Sequence, residues 1–139
     1  AGGAAPRLDG VRVSQSIEVI VDGRPLPQPR PRSSGARRFY PRPYLQWRDE
    51  VAVHAQVAAL ELEDRGEPWD ARARGYGVRL LFVQPDRRRT DLDRLCATLL
   101  AALTRAGIWE DDRLVDRISA RREVDPTQPR VEITVEVLR

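Results

Sequence analysis

The stretch of this chain best equipped for chemistry is Asp86-Arg87-Arg88-Arg89-Thr90-Asp91-Leu92-Asp93, an arginine run set against two carboxylates one residue apart. A second acidic cluster, Glu110-Asp111-Asp112, follows a Leu/Ala-rich run. Hard divalent cations take oxygen ligands, and Mg²⁺ commonly uses only one or two carboxylates beside water and substrate phosphate. A cation so held can activate water and neutralise the charge developing on a phosphodiester in its transition state. Neighbouring guanidiniums and helix-terminal amides would then hold the phosphate itself. That division of labour fits phosphodiester hydrolysis. Each part also has a plainer use. Asp91 suits a helix N-cap, Asp93 a first turn where the helix dipole favours negative charge, and the Glu-Asp-Asp cluster a solvated turn. On the residues alone the two readings stand level.

The acidic pair needs a loop-to-helix junction to act together. Inside a helix, residues two apart point to nearly opposite sides, but a capping residue is non-helical, so both carboxylates can converge on one ion. The spacing predicts that helix from Asp91, with Leu92, Leu95, Cys96, Leu99, Leu100 and Leu103 three or four apart, ending at Ala106-Gly107. Before it, Gly77 to Val83 is a nearly continuous apolar run of the kind found in a central strand, and Gln84 to Thr90 reads as a loop. Ser14 to Val21 alternates polar and apolar residues as a strand does, and Asp22-Gly23 supplies turn chemistry. Residues 24–43 are rich in Pro and Arg and read as a basic loop without regular structure. Pro43 suits the first turn of another helix, which runs to about Leu62 with a blurred apolar face; residues 64–75 form a polar connection. Leu114 to Val124 holds a third strand, and Val131 to Leu138 alternates cleanly as the last. The order β, α, β, α, β, β predicts an α/β or α+β fold, a small mixed sheet of about four strands with two helices packed on it.

Composition narrows the rest. With 139 residues, 41% hydrophobic and 32% charged, the chain reads as one globular domain over 13–139 behind a flexible N-terminal segment, 1–12. No apolar run approaches the roughly 18–20 residues that would span a bilayer, and no signal pattern is present, so no membrane is involved and the cytosol is the expected compartment. Cys96 is the single cysteine, which permits no internal disulfide, and one Cys with one His cannot hold a structural zinc. All 24 basic residues are arginines in a net charge of +3. Any phosphate-binding cation here is therefore an always-charged guanidinium or a metal, never a lysine amine of tunable pKa. Arg30, Arg32, Arg37 and Arg38, with Arg87, Arg88 and Arg89, are the candidate DNA-binding residues. Tyr40, Tyr44 and Trp47 alternate with arginines and are expected to anchor a helix in the core, with stacking on unpaired bases as the alternative. His54 is expected in a packing or surface role, Trp109 at the seal of the second helix, and Cys96 inert.

The stretch DRRRTDLDRLCATLLAALTRAGIWEDDRLV strongly resembles the core of the RusA family of Holliday junction resolvases. That pattern is an arginine run, Asp-x-Asp-Asn-x-x-x-Lys on a helix, a Leu/Ala-rich helix body, Gly-x-Trp-x-Asp-Asp and a hydrophobic strand. The resemblance covers about 30 residues closely, and extends loosely to the basic Pro-rich segment and to the VEITV strand. It implies metal-binding, catalytic roles for Asp91, Asp93 and Asp112, with Asp111 as a supporting acid. It also implies an Mg²⁺-dependent (or Mn²⁺-dependent) endonuclease acting on branched DNA as an intertwined homodimer of α/β subunits. The sequence departs from the pattern twice: the family's Asn is Arg94 and its Lys position is Ala97. Arg94 is then a candidate catalytic cation, or else a surface arginine. The competing expectation is a branch-recognising DNA-binding dimer with weak or no cleavage.

One expectation concerns reach. A helix from Asp91 to Ala106 is roughly 24 Å long, and the six residues from there to Asp112 span at most about 20 Å fully extended. Closing a site within one chain would require the helix to start late or the chain to double back at once. Antiparallel packing of two such helices, with the leucine stripe as the shared seam, would instead complete each metal site across a dimer.

Overall fold

The computed structural model describes residues 11–30, 32–34 and 37–139. The expected flexible segment lies outside the described residues up to residue 10. Arg12 exchanges backbone hydrogen bonds of 2.9 and 2.8 Å with Arg139, closing the first strand against the end of the chain.

Strand β1 (Val13–Asp22) is followed by a short hairpin, β2 (Arg32–Ser34) and β3 (Arg37–Phe39), then helix α1 (Arg42–Asp64) and strand β4 (Tyr76–Gln84). Helix α2 (Leu92–Arg105), a 3₁₀ turn (Asp112–Leu114), β5 (Val115–Val124) and β6 (Arg130–Leu138) complete the order. The main sheet runs β1-β6-β4-β5. β6 is antiparallel to both neighbours, whereas β5 lies parallel to β4 at the edge. A four-strand mixed sheet with two helices is the expected fold. The hairpin was not expected. Its pairs, Arg32 with Phe39, Ser33 with Arg38 and Ser34 with Arg37, lack the apolar alternation that announces a strand. The region from 24 to 43 is therefore not wholly irregular.

Alternation on the strands explains the layering. Ile17, Val19 and Val21 are buried while Glu18 and Ile20 are exposed, and Val131, Ile133, Val135 and Val137 repeat the pattern on β6. The two helices pack on each other and cover one face of the sheet. α1 buries Tyr44, Trp47, Val51, Ala55 and Leu62, and leaves Val53, Val57 and Leu60 exposed, which is why its apolar face looks blurred in sequence. α2 buries Leu95, Thr98, Leu99, Ala102 and Leu103. Leu95, Leu99 and Leu103 are 0% exposed in a single subunit. These three leucines are thus spent on this chain's own core, while Leu92, Cys96 and Leu100 of the same stripe are only partly covered. No helix among the described residues is long and apolar enough to cross a membrane.

The parallel β4-α2-β5 unit positions the acids. α2 runs back along β4, so its two ends lie at opposite ends of the strands. Its 14 residues make it about 21 Å long at 1.5 Å per residue. Gly107, at φ 75°, takes the left-handed conformation that ends the helix, with its N–H bonded to Thr104 at 3.0 Å. β5 then begins with Val115 opposite Tyr76, the first residue of β4.

Candidate active site

Asp91 occupies the N-cap position of α2, and Asp93 lies in the first turn. Asp91 supplies its carbonyl to Leu95 N–H at 3.1 Å, but its side chain makes no capping hydrogen bond. Both aspartates are exposed. Among the described residues neither has an ion-pair partner, so the carboxylate oxygens remain for a ligand. The charge of Asp93 is felt locally: burial first, and then Asp93, push the Cys96 thiol up. That shift supports an inert cysteine.

The arginine run sits on the turn leading into this end. Asp86 anchors it, accepting Arg88 N–H at 3.0 Å and a guanidinium bond from Arg24 at 2.7 Å. The Arg88 amide and then Arg24 hold the Asp86 carboxyl below its ordinary range. Arg87, Arg88 and Arg89 are exposed, as is Arg30. The side chains of Arg32, Arg37 and Arg38 lie outside the described residues.

Arg94 is placed differently from a free catalytic cation. Its guanidinium donates to the Gln28 carbonyl at 3.0 Å, and its own carbonyl accepts from Gln28 N–H at 3.0 Å. One turn on, buried Thr98 donates to the Leu26 carbonyl at 2.8 Å. Together with the Arg24–Asp86 pair, these bonds strap residues 24–28 along the start of α2. The Pro-rich segment needs such partners, because its prolines remove the backbone donors that regular structure would use.

The second acidic cluster lies at the other end of α2. Asp111 caps the 3₁₀ turn, accepting Arg113 N–H at 2.9 Å and pairing with its guanidinium at 3.0 Å. The Arg113 backbone bond is the main cause of a carboxyl held below its ordinary range. Asp112 is exposed beside it. Trp109, 1% exposed, seals this end: its indole N–H donates to Thr104 at 2.8 Å and its ring meets Tyr76 at 5.5 Å. Within this chain, therefore, Asp91 and Asp93 share the start of α2, whereas Asp112 follows its far end. Among the described residues no group of three His, Cys, Asp or Glu side chains gathers in a metal-holding cluster. The pair alone still fits Mg²⁺, whose protein ligands are often just one or two carboxylates.

Two residues flanking the loop into α2 carry no signal in the sequence. Arg122 of β5 donates from its guanidinium to the carbonyl of Thr90, the residue just before Asp91. Gln84 ends β4 and is 4% exposed. Only the strand register brings the two toward each other: Phe82 faces Arg122 and Gln84 faces Val124. His54 is exposed, its ring nitrogen against the Glu50 carbonyl at 2.8 Å. Tyr44 and Trp47 are buried, as anchoring aromatics should be.

Comparison with known proteins bears on this arrangement. Crossover junction endodeoxyribonuclease RusA from Escherichia coli strain K12 is 38% identical over 69 residues, which is 50% of this chain and 51% of that protein. The same protein from Escherichia coli strain UTI89 matches to the same extent. The match thus spans about half the length of these curated relatives. Among solved structures, 2C-methyl-D-erythritol-2,4-cyclodiphosphate synthase in its CDP-bound form is 13% identical, with a TM-score of 0.35 over 90% of this chain and 100% of that one. A likeness at that score has no bearing on fold or function. The pattern described as endodeoxyribonuclease RusA, by contrast, matches residues 22–136, from the end of β1 through both acidic clusters and into the last strand. On that extent of agreement, the chain belongs to the RusA family of endodeoxyribonucleases.

Proposed function

We propose that this chain is a structure-selective endodeoxyribonuclease that cuts branched DNA, four-way junctions above all. In this reading it works as a homodimer, with a divalent cation held by Asp91, Asp93 and the partner subunit's Asp112. One observation carries the proposal: two exposed carboxylates stand at a helix start beside an arginine run, and Asp91 forgoes the capping bond its position invites. Carboxylate oxygens suit Mg²⁺, and Mn²⁺ as well. When bound, such a cation supplies an activated water and neutralises charge on the phosphodiester. The chain's own residues do the remaining work. Arg87, Arg88, Arg89 and Arg30 bind backbone phosphates, with Arg32, Arg37 and Arg38 of the hairpin as further candidates, and the start of α2 favours an anion by its dipole.

Reach is what supports the dimer. Asp112 lies a helix length from Asp91 in its own subunit, and the chain does not double back. Two α2 helices set antiparallel about a two-fold axis would bring each acidic pair to the other subunit's Asp112, and a four-way junction has matching approximate symmetry. Since Leu95, Leu99 and Leu103 are internal, such packing would use the outer face of α2, where Ala97, Leu100, Ala101 and Thr104 are only partly covered.

A second reading is a branch-binding dimer that cuts weakly or not at all. The observation favouring it is that the family lysine position is Ala97 while Arg94 is tied to Gln28. A synthetic four-way junction separates the two. The first reading expects paired nicks with Mg²⁺ or Mn²⁺ that vanish with chelator. It also expects Asp93→Asn to bind the junction as well or better without cutting, because a charge that repels phosphate is gone. Binding without nicks under either cation selects the second reading, and cation-dependent nicks by Asp93→Asn would remove the metal assignment.

A further inference from the structure

Between the end of β4, the loop that leads into α2 and the end of β5 lies a cavity of about 330 Å³ lined by Gln84, Asp86, the arginine run, Arg122 and Glu123. Its charges do not cancel. Asp86 is already engaged by Arg24 and by the Arg88 amide, and Glu123 lies 3.7 Å from Arg121. The guanidiniums of Arg87, Arg88 and Arg89 form no ion pair among the described residues. The cavity is therefore rich in donors and poor in free acceptors.

Gln84 adds an independent sign. Its side chain is buried at the end of β4, and the amide nitrogen has no hydrogen-bond partner among the described residues. Buried polar groups are nearly always paired, and an apolar side chain would serve better at this point if nothing were to meet the amide. An amide donor in a cavity that guanidiniums also line matches the oxygens of a tetrahedral anion. Arg122 reaches the same place from the edge strand and also holds the Thr90 carbonyl.

We propose that this cavity is a phosphate-binding site built by Gln84 and Arg122, which takes a backbone phosphate of the DNA strand adjoining the acidic pair. Arg122 is both a ligand-binding cation and a positioning residue for Asp91. β5 thereby supplies the positive charge that α2 lacks at Ala97. The assignment of the phosphate to DNA rests on the nuclease reading; the anion site does not.

The experiment is a titration of the ¹⁵N-labelled full chain with inorganic phosphate, without DNA or metal. The site predicts saturable shifts of the Gln84 side-chain amide and of the backbone amides from 86 to 91. It predicts about tenfold weaker binding in Arg122→Gln, the order expected for one charge-assisted hydrogen bond, with recovery in Arg122→Lys. In a parallel measurement on a four-way junction, Arg122→Gln should reduce the slope of log affinity against log salt by about 0.9, one phosphate contact. A merely structural Arg122 would leave that slope unchanged. An unmoved Gln84 amide, or equal phosphate affinity in Arg122→Gln, overturns the site. A chain that binds phosphate in this way yet never cuts DNA would sink the nuclease reading and leave the anion site standing. Phosphate binding as predicted with an unchanged salt slope would overturn the assignment to DNA.

Discussion

At its C-terminal end α2 is finished by its own chain. Gly107 turns the backbone, Trp109 plugs the gap against Thr104 and Tyr76, and Asp111 gives both carboxylate oxygens to Arg113. At its N-terminal end the helix begins on an aspartate that caps nothing, followed by a second that pairs with nothing among the described residues. The two ends carry the same residue type in similarly exposed turns, yet one set is committed to structure and the other is left with its oxygens open. What distinguishes a structural acid from a ligand is the partner it has already taken, which composition and spacing do not reveal. Asp112 belongs to the first end by position and to the second by its freedom.

The sharpest way to break this contrast is to move function between subunits. Asp91→Asn and Asp112→Asn should each abolish junction cleavage, and mixing the two inactive proteins under conditions of subunit exchange should restore nicking. Heterodimers regain one intact site if the two ends of α2 meet across a dimer. No recovery would mean that each chain holds its site alone. The next effect concerns the sealed end. Trp109→Ala removes a fully buried indole and should cost about 3–5 kcal/mol of stability, measured by denaturant unfolding; a loss below about 1 kcal/mol would show that the end is not sealed by packing. The smallest effect is that of Asp111→Ala. The folded-state carboxyl is depressed, so its contribution is present above the unfolded pKa and is lost as pH falls through the folded value. Thermal midpoints of wild type and variant should therefore differ slightly at neutral pH and converge in acid, with cleavage nearly unchanged. A normal midpoint with lost cleavage would make Asp111 a ligand.

Much of this was legible in the residues. β4 announced itself by seven residues of apolar run, α2 by leucines three and four apart, and β6 by clean alternation, because each buries a face with a fixed period. The acidic pair was legible as a candidate, and so was the length of helix that separates it from Asp112. The hairpin was not, since arginines and serines carry no apolar period. The use of the leucine stripe was not either: periodicity identifies a buried face without saying whether the burial lies within or between subunits. Gln84 and Arg122 were invisible for a different reason. They meet only through the register of two parallel strands, a relation that no local pattern encodes.

The strap over the start of α2 also bears on the order in which the molecule assembles. The bonds Arg24–Asp86, Arg94–Gln28 and Thr98–Leu26 join residues 62, 66 and 72 apart in sequence, whereas Trp109 closes on Thr104 across only 5. Long loops lose more entropy on closure, and distant contacts form late. The far end of α2 can thus fix itself as the helix forms, but the end bearing Asp91 and Asp93 waits until the first quarter of the chain has been laid across it. A molecule caught before that step would hold the sealed end of α2 without an ordered acidic pair.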